Sequence, residues 1–201
     1  GALPDVPEIE HRELATFEGA VEHVITIPDG AGGELICAAE MQTIHLLRPD
    51  GTEVATAATD GAIRAVHWWP EHDLLLAACA DEQLIAFNRA GERQWVFVSE
   101  MDPAVFEAAK TYWFKSAAAH AGLWGVTTVP SFIDDKSQAV IGSACTLEFV
   151  DGDGNLVHRM PQFWGDPHVF QLIDGPDDSV NLLAARRING THRVGIINNK
   201  T

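Results

Sequence analysis

The sequence predicts an all-β fold built from repeated units of four short antiparallel strands. A phrase made of an apolar strand, a turn and a second strand recurs at roughly forty- to sixty-residue intervals, the range of blade repeats. The turn is rich in Asp, Asn and Gly, which indicates a hairpin between apolar strands. Its copies lie at residues 46–51, 86–91 and 149–154, with a degraded copy at 196–200. Four-stranded units at this spacing predict a β-propeller with about four blades in this chain.

The first two units follow each other without interruption. Their strands are joined by short turns containing Gly, Asp, Asn or Pro, which leave no room for helical crossovers, so the sheets should be antiparallel. The predicted strands of the first unit are 21–27, 34–39, 43–47 and 53–58, and those of the second are 63–69, 74–79, 83–87 and 94–98.

The strand rhythm is interrupted at residues 102–118. Asp102 is a capping residue, Pro103 suits the first helical position, and good helix formers follow. The pattern predicts a helix from Pro103 to about Ala118, inserted between the second and third units. This insertion explains why the spacing between the second and third phrases is the longest.

The third unit is complete in the prediction and the fourth lacks its last strand. The predicted strands are 123–129, 138–142, 146–150 and 156–160, then 169–173, 180–185 and 193–197. Residues 1–201 thus form a single propeller or a partial one. Three explanations stay open: a piece of a larger propeller, two chains that complete one ring, or a strand near Leu14 to Phe17 that pairs with the last blade. A free half-ring would leave sheet edges open.

Composition excludes several classes of partner. The chain has 201 residues, 29 acidic against 13 basic, and a formal charge of -16. Such a surface repels phosphate backbones and anionic lipid, so neither nucleic acid nor a membrane surface is an expected partner. No segment is long and apolar enough to span a bilayer, and no signal peptide is visible. The cellular location stays unknown, with a secreted or periplasmic one expected if the ligand is a carbohydrate.

The cysteines and acidic turns predict no metal site. Cys37, Cys79 and Cys145 each lie in an apolar run, which favours buried free thiols over a metal site shared with histidines. The turn that starts at Asp151 begins like a calcium loop. Its sixth position is Leu156 and its twelfth is Gln162, where glycine and glutamate are needed. A polar hairpin is therefore the favoured interpretation.

Aromatic and basic residues cluster at a few places that could bind a ligand. Residues 111–120 combine Tyr112, Trp113 and His120, either as a patch for carbohydrate and acid–base chemistry or as anchors for the helix. Arg186 and Arg187 follow an apolar strand, so alternation points one of them inward. An inward arginine would pair with a bound carboxylate or with one of the chain's own acidic residues. Flat rings and an imidazole that suit sugars are supplied by Trp124, Trp164 and His168.

Two resemblances to known families suggest a function for these residues. Residues 88–95 resemble the outer hairpin of PQQ-like and WD40-like propeller repeats, but the quinoprotein docking motif is not repeated, so no cofactor is expected. Residues 141–148, 153–156, 163–165 and 181–186 are similar to propeller polysaccharide lyases that cleave ulvan and related uronate polymers.

The lyase resemblance implies β-elimination on a uronate-containing polysaccharide. It implies catalytic roles for Tyr112, His120 and Arg186. Substrate binding then falls to Arg187, Trp113, Trp124, Trp164 and His168. The alternative is a non-catalytic propeller that binds a protein or a glycan.

Overall fold

The computed structural model describes residues 10–100, 122–129, 136–143, 146–160, 166–174, 180–188 and 191–198. From residue 166 onward the description covers the backbone, with side chains at residues 185 and 194–196. None of these residues is helical, and none belongs to a helix that could cross a membrane. The helix predicted over 103–118 lies outside the described residues.

Fifteen strands form four antiparallel sheets, each built in chain order. Blade 1 contains β1 (Val21–Pro28), β2 (Glu34–Glu40), β3 (Thr43–Leu47) and β4 (Glu53–Ala58). Blade 2 contains β5 (Ile63–Trp69), β6 (Leu74–Cys79), β7 (Gln83–Phe87) and β8 (Arg93–Val98). Blade 3 contains β9 (Gly125–Val129), β10 (Gln138–Ser143), β11 (Thr146–Val150) and β12 (Leu156–Met160). Blade 4 contains β13 (Asp166–Asp174), β14 (Val180–Ile188) and β15 (Thr191–Asn198).

The first strand of every sheet lies at the centre of the propeller. The strands β1, β5, β9 and β13 contact each other in succession. They are therefore the inner strands around the central channel, and the last strand of each blade lies outside. The all-β propeller predicted from the sequence is confirmed.

The turn between the third and fourth strands has the same construction in blades 1, 2 and 3. In each turn a glycine has a positive φ, 91° at Gly51, 76° at Gly91 and 85° at Gly154. The glycine N–H donates to the carbonyl three residues earlier, and the pairing register shifts where the turn meets the strands. A left-handed residue of this kind is where glycine is favoured. The recurring phrase is therefore a recurring hairpin.

The hairpin at Asp151 uses its carboxylate within the turn. Asp151 Oδ1 accepts hydrogen bonds from the backbone N–H of Asp153 at 3.0 Å and of Asn155 at 2.8 Å. Burial alone would raise the pKa of Asp151, but the bonds from Asn155 and Asp153 and the charge of Lys136 outweigh it and lower the pKa. The interpretation as a polar hairpin rather than a calcium loop agrees with this geometry.

Apolar faces hold adjacent blades together. Between blades 1 and 2 the buried residues include Cys37, Ile44, Leu46, Ile85 and Phe87. A second cluster, with Leu84 and Ile141 among its members, joins blades 2 and 3.

Two of the three cysteines belong to the cluster between blades 1 and 2. Cys37 and Cys79 are buried free thiols, as predicted, and burial raises the pKa of each to about 12. Cys145 lies outside the described residues.

Residues 10–20 run along blade 1 without forming a strand. Arg12 Nη2 donates to the carbonyl of Pro49 at 2.7 Å, and the Phe17 ring lies 4.6 Å from the ring of His45. The Gly19 N–H donates to the Glu40 carboxylate. The strand predicted near Leu14 to Phe17 is not formed: the Arg12 and Phe17 side chains and the Gly19 N–H attach this segment to blade 1, and its described residues belong to no strand.

Candidate functional site

The inner strands begin at one end of the channel, which we call the start face. The N–H of Ile63, the first residue of β5, donates to the carbonyl of Met41 at 2.7 Å. The N–H of Leu123, just before β9, donates to the carbonyl of Cys79 at 2.9 Å. Both acceptors lie where the second strand of the preceding blade ends. The starts of successive inner strands therefore lie at the same end of the propeller.

One position of the start face recurs in all four blades. A register shift separates Val21 from His23, Ile63 from Ala65, and Pro167 from Val169, so Glu22, Arg64 and His168 occupy equivalent bulges. Trp124 follows Leu123 as Arg64 follows Ile63, which gives it the same position in blade 3. Bulges of this kind re-aim a side chain and are frequent at barrel rims and beside active sites. We call Glu22, Arg64, Trp124 and His168 the start-face ring.

Two members of the start-face ring contact each other across blades 2 and 3. The guanidinium carbon of Arg64 lies 4.0 Å from the centre of the Trp124 ring. A contact of this type is worth about 0.5–2 kcal/mol, depending on its exposure. The indole N–H of Trp124 is buried and has no hydrogen-bond partner among the described residues. The pair thus places a positive charge against an aromatic ring where blades 2 and 3 meet.

Blade 4 adds basic residues at the same end of the channel. Arg186 pairs with Pro167 and Arg193, and Arg187 pairs with Asp166 and His192. These positions lie where β13 and β15 begin, so their backbone belongs to the start face. Three of the chain's nine arginines are therefore concentrated here in an otherwise acidic protein. Such a concentration suits a ligand that carries carboxylates.

The predicted site residues fall into two groups. Trp124 lies on the start face, and the backbone positions of His168, Arg186 and Arg187 lie there too. Pro167 pairs with Arg186 across the sheet, and cross-strand neighbours are about 4.5–5.5 Å apart. The backbone of His168, the residue after Pro167, therefore lies close to that of Arg186. The prediction that β14 ends at Ala185 is wrong, because both arginines pair with β15.

The second group lies outside the described residues. It consists of Tyr112, Trp113, His120 and Trp164. The described residues end at 100, just after Ser99, whose N–H donates to the carbonyl of Glu82 at 2.8 Å, and they resume at 122, just before Leu123. The catalytic and substrate-binding roles of all eight residues stay predictions.

Two members of the start-face ring were missed by inspection of single motifs. The residues that flank Arg64 and Glu22 in the sequence form no motif that marks either one as a candidate. Aligning the strand that opens each repeat would have placed Glu22, Arg64, Trp124 and His168 in one column. The described residues contain no cluster of three histidine, cysteine or carboxylate side chains suited to a metal ion.

The opposite end of the channel, which we call the far face, uses its polar groups to join blades. Arg89 Nε donates to the carbonyl of Pro28 at 2.7 Å, and its Nη1 donates to Asp73 at 2.6 Å. The indole N–H of Trp69 donates to Ser137 Oγ at 2.6 Å. These groups have partners within the protein, which indicates a structural role for this end.

A histidine joins two inner strands along the channel. His67 Nε2 lies 3.0 Å from Thr128 Oγ1, which links β5 to β9. Burial lowers the pKa of His67, and the negative charge of Glu71 offsets only part of that effect. The neutral imidazole is therefore favoured where the two blades meet.

No protein-family model matches the chain, and no curated protein sequence matches it closely enough to count as a relative. Solved structures do match. BBS1N in complex with ARL6DN is 13% identical with a TM-score of 0.60, over 95% of this chain and 56% of that one. U3-55K is 11% identical with a TM-score of 0.63, over 92% and 53%. The WD40 β-propeller domain of Doa1 is 13% identical with a TM-score of 0.57, over 96% and 58%.

These similarities concern the fold. The chain is β-propeller in architecture and resembles WD40 propeller domains, and it spans little more than half the length of each of these three proteins. The resemblance to ulvan-type lyases finds no support among them.

Proposed function

We propose that this propeller is an interaction module whose start face binds a protein partner through the partner's carboxylates. The observation that carries the proposal is the start-face ring, in which Arg64 and Trp124 contact each other across blades 2 and 3. Among the similar structures, BBS1N is in complex with another protein, ARL6DN. Propellers commonly carry their binding residues at strand ends and loops, held by a rigid scaffold.

The chemistry of the start face favours an acidic segment of the partner. A guanidinium group suits a carboxylate because it can donate two parallel hydrogen bonds, and Arg64 places one beside the Trp124 ring. Two further basic residues, Arg186 and Arg187, have their backbone positions at the blade 4 side of the same face. Because the rest of the protein is strongly acidic, an acidic ligand is attracted here and repelled elsewhere.

Fluorescence anisotropy with a labelled glutamate-rich peptide tests this function. We expect saturable binding that weakens with added salt, and about a tenfold or greater loss in Arg64→Ala, since a hydrogen bond to a charged group contributes about 1.5–3 kcal/mol. Arg48→Ala is the matched control, because it removes the same charge from an exposed hairpin of the far face. Equal binding of a glutamine-substituted peptide, or equal losses in both variants, would contradict the proposal.

A second candidate function is β-elimination on a uronate polymer. It is favoured by the register that brings His168, Arg186 and Arg187 to one end of blade 4. In the reaction an arginine such as Arg186 neutralises the uronate carboxylate. Tyr112 or His120 takes the C5 proton, a C4–C5 double bond forms, and the C4–O bond breaks with the oxygen protonated. Under this function a secreted or periplasmic location follows from the substrate.

The lyase function has its own assay. Incubation with a panel of uronate polymers should raise the ultraviolet absorbance of the unsaturated uronate, and Tyr112→Phe, His120→Ala and Arg186→Ala should each abolish the rise. No rise with any polymer, measured on a protein whose ring is complete, would leave the interaction module alone. Binding of the acidic peptide would then persist without turnover.

The extent of the domain belongs to the same proposal. Residues 1–201 form one partial propeller, with residues of about 102–118 inserted between blades 2 and 3. The fourth blade has three described strands where the others have four. As a second kind of partner we propose a further chain that completes the ring.

A further inference from the structure

A methionine on the start face is exposed although its backbone geometry does not favour it. Met41 lies in the turn between β2 and β3 and is 68% exposed. Its φ is 50°, in the left-handed region where residues other than glycine, asparagine and aspartate are uncommon. A single exposed apolar residue is ordinary on a protein surface. The left-handed backbone and the place on the start face set Met41 apart, and contact with a partner is the role that suits its side chain.

Four hydrogen bonds hold the turn of Met41 in one position. The carbonyl of Met41 accepts from the N–H of Ile63 at 2.7 Å. The carbonyl of Gln42 accepts from the N–H of Thr59 at 2.9 Å and from its hydroxyl at 3.1 Å. Gln42 Nε2 donates to the carbonyl of Asp60 at 2.7 Å. Both residues of the turn are thus fixed to the connection between blades 1 and 2, so the side chain is presented without the entropy cost of ordering a loop on binding.

Met41 lies beside one member of the start-face ring. Its carbonyl is bonded to Ile63, the residue before Arg64. The guanidinium group of Arg64 lies in turn against the Trp124 ring. An apolar thioether, a positive charge and an aromatic ring therefore follow one another across the start face, from blade 1 to blade 3.

The carboxylates nearest to Met41 are engaged within the protein. Asp60 Oδ2 lies 3.1 Å from Arg93 Nη1. Glu40, the residue before Met41, has its Oε2 3.3 Å from His45 Nε2. Met41 is therefore the exposed and uncharged part of its turn.

The matching turn of blade 2 has the opposite character. Between β6 and β7 it contains Asp81 and Glu82, and its apolar residue is the small Ala80. An acidic segment is repelled by these two carboxylates and meets no charge at Met41. This difference favours an orientation in which the apolar part of a bound segment lies over blade 1 and its carboxylate lies at Arg64.

We infer that the acidic segment of the partner carries a large apolar residue, and that this residue packs on Met41. The inference rests on the proposed function, because the same segment places its carboxylate at Arg64. An extended segment advances about 3.3 Å per residue, so an apolar side chain about two to four residues from that carboxylate reaches Met41. A methionine suits this role, since its unbranched and polarizable side chain adapts to apolar groups of different shape.

Fluorescence anisotropy with two labelled peptides tests the inference. One is the glutamate-rich peptide, and in the other a central glutamate is replaced with leucine. We expect the leucine peptide to bind about fivefold more tightly, because its side chain leaves water on contact with Met41. Met41→Asn should remove this gain and keep the affinity for the glutamate-rich peptide within about twofold. Met41→Leu should retain the gain.

Two controls separate apolar contact from other effects. Asparagine tolerates a left-handed φ, so Met41→Asn should be as resistant to urea as the unchanged protein. Leu156→Asn removes an apolar residue that is 41% exposed at the far-face end of β12, and it should bind both peptides as the unchanged protein does. Added salt should weaken the binding of both peptides and leave the ratio of their affinities constant, because screening acts on the charges alone.

The outcomes distinguish this inference from the proposed function. Equal affinities for the two peptides, or equal losses for both in Met41→Asn, would overturn the contact with Met41 while binding through Arg64 stands. Binding of neither peptide would overturn the proposed function and the inference with it. A free protein heavier than 21.8 kDa that returns to this mass in Met41→Asn would show that a second copy covers Met41, which would also overturn the inference.

Discussion

The two ends of the channel differ in how their polar groups are used. At the far face Arg89, Trp69 and the hairpin carboxylates bond to neighbouring parts of the protein. At the start face the same ring position holds four different residue types: Glu22, Arg64, Trp124 and His168. The backbone bulge is therefore kept from blade to blade while the side chain at this position changes. The far face joins blades through Arg89 and Trp69, and the start face is where we propose that a partner binds.

The largest expected effect on stability comes from a substitution at the far face. Trp69 is fully buried and its N–H bonds to Ser137 in the next blade. Trp69→Ala should lower the free energy of unfolding by about 3–5 kcal/mol, because it leaves a cavity between blades 2 and 3. Urea denaturation followed by circular dichroism measures this loss. Trp69→Ala molecules that stay folded should bind the acidic peptide with the affinity of the unchanged protein. A selective loss of affinity would contradict the difference in role between the two ends.

A smaller effect is expected from the hairpin glycines. Gly91→Ala combines a left-handed φ with a clash against Thr56, so a loss of about 2–3 kcal/mol in unfolding free energy is expected. Gly32→Ala has a φ of 96° and no atom within 4 Å, so it carries the backbone strain alone, about 1 kcal/mol. Thermal and urea denaturation of the two variants should rank them in this order. Equal losses would mean that the contact with the preceding blade contributes nothing.

The start face should respond in the opposite way. Arg64→Ala should cost at most about 1 kcal/mol of stability, since its contact with the Trp124 ring is partly exposed. Peptide affinity should nevertheless fall about tenfold, equivalent to about 1.4 kcal/mol. Trp124→Phe keeps an aromatic ring and removes the N–H, so it reports the donor by itself. Calorimetry and denaturation on the same samples separate the two quantities.

The smallest effect concerns His67, between the two ends. Because its pKa is lowered in the folded protein, the unfolded chain binds this proton first as the pH falls below about 6.5. The contribution of His67 to the free energy of unfolding is therefore fully present above that pH. It decreases below that pH, by less than about 1.4 kcal/mol for each pH unit. His67→Gln should flatten the pH dependence of the unfolding free energy between pH 7 and about pH 5. Identical slopes in both proteins would show that its burial has no energetic consequence.

The fold was predictable because local turn chemistry determines it. Glycines at 51, 91 and 154 adopt positive φ in matching hairpins, and the strands of blades 1 to 3 lie within two residues of their predicted bounds. Blade 4 was predicted less well. The pairing of Arg186 with Arg193 extends β14 beyond its apolar residues, and a hydrophobic pattern contains no signal for it.

The candidate site was only partly predictable. Trp124 attracted attention as an aromatic residue, but its partner Arg64 lies sixty residues earlier and in another blade. The contact depends on how neighbouring blades are placed, which no local pattern contains. The contact between Leu14 and Gly51 also joins residues far apart in the sequence, so no local pattern predicts it.

The packing of each hairpin on the blade before it has a consequence for biosynthesis. Gly91 rests on β4 and Gly154 rests on Trp95 of β8, both of which precede them in the chain. In each of blades 1 to 3 the hairpin glycine therefore packs on residues that leave the ribosome before it. The segment around Leu14 provides that support for the first blade. Blades can consequently assemble in the order of translation, each one templated by its predecessor, without waiting for the end of the chain.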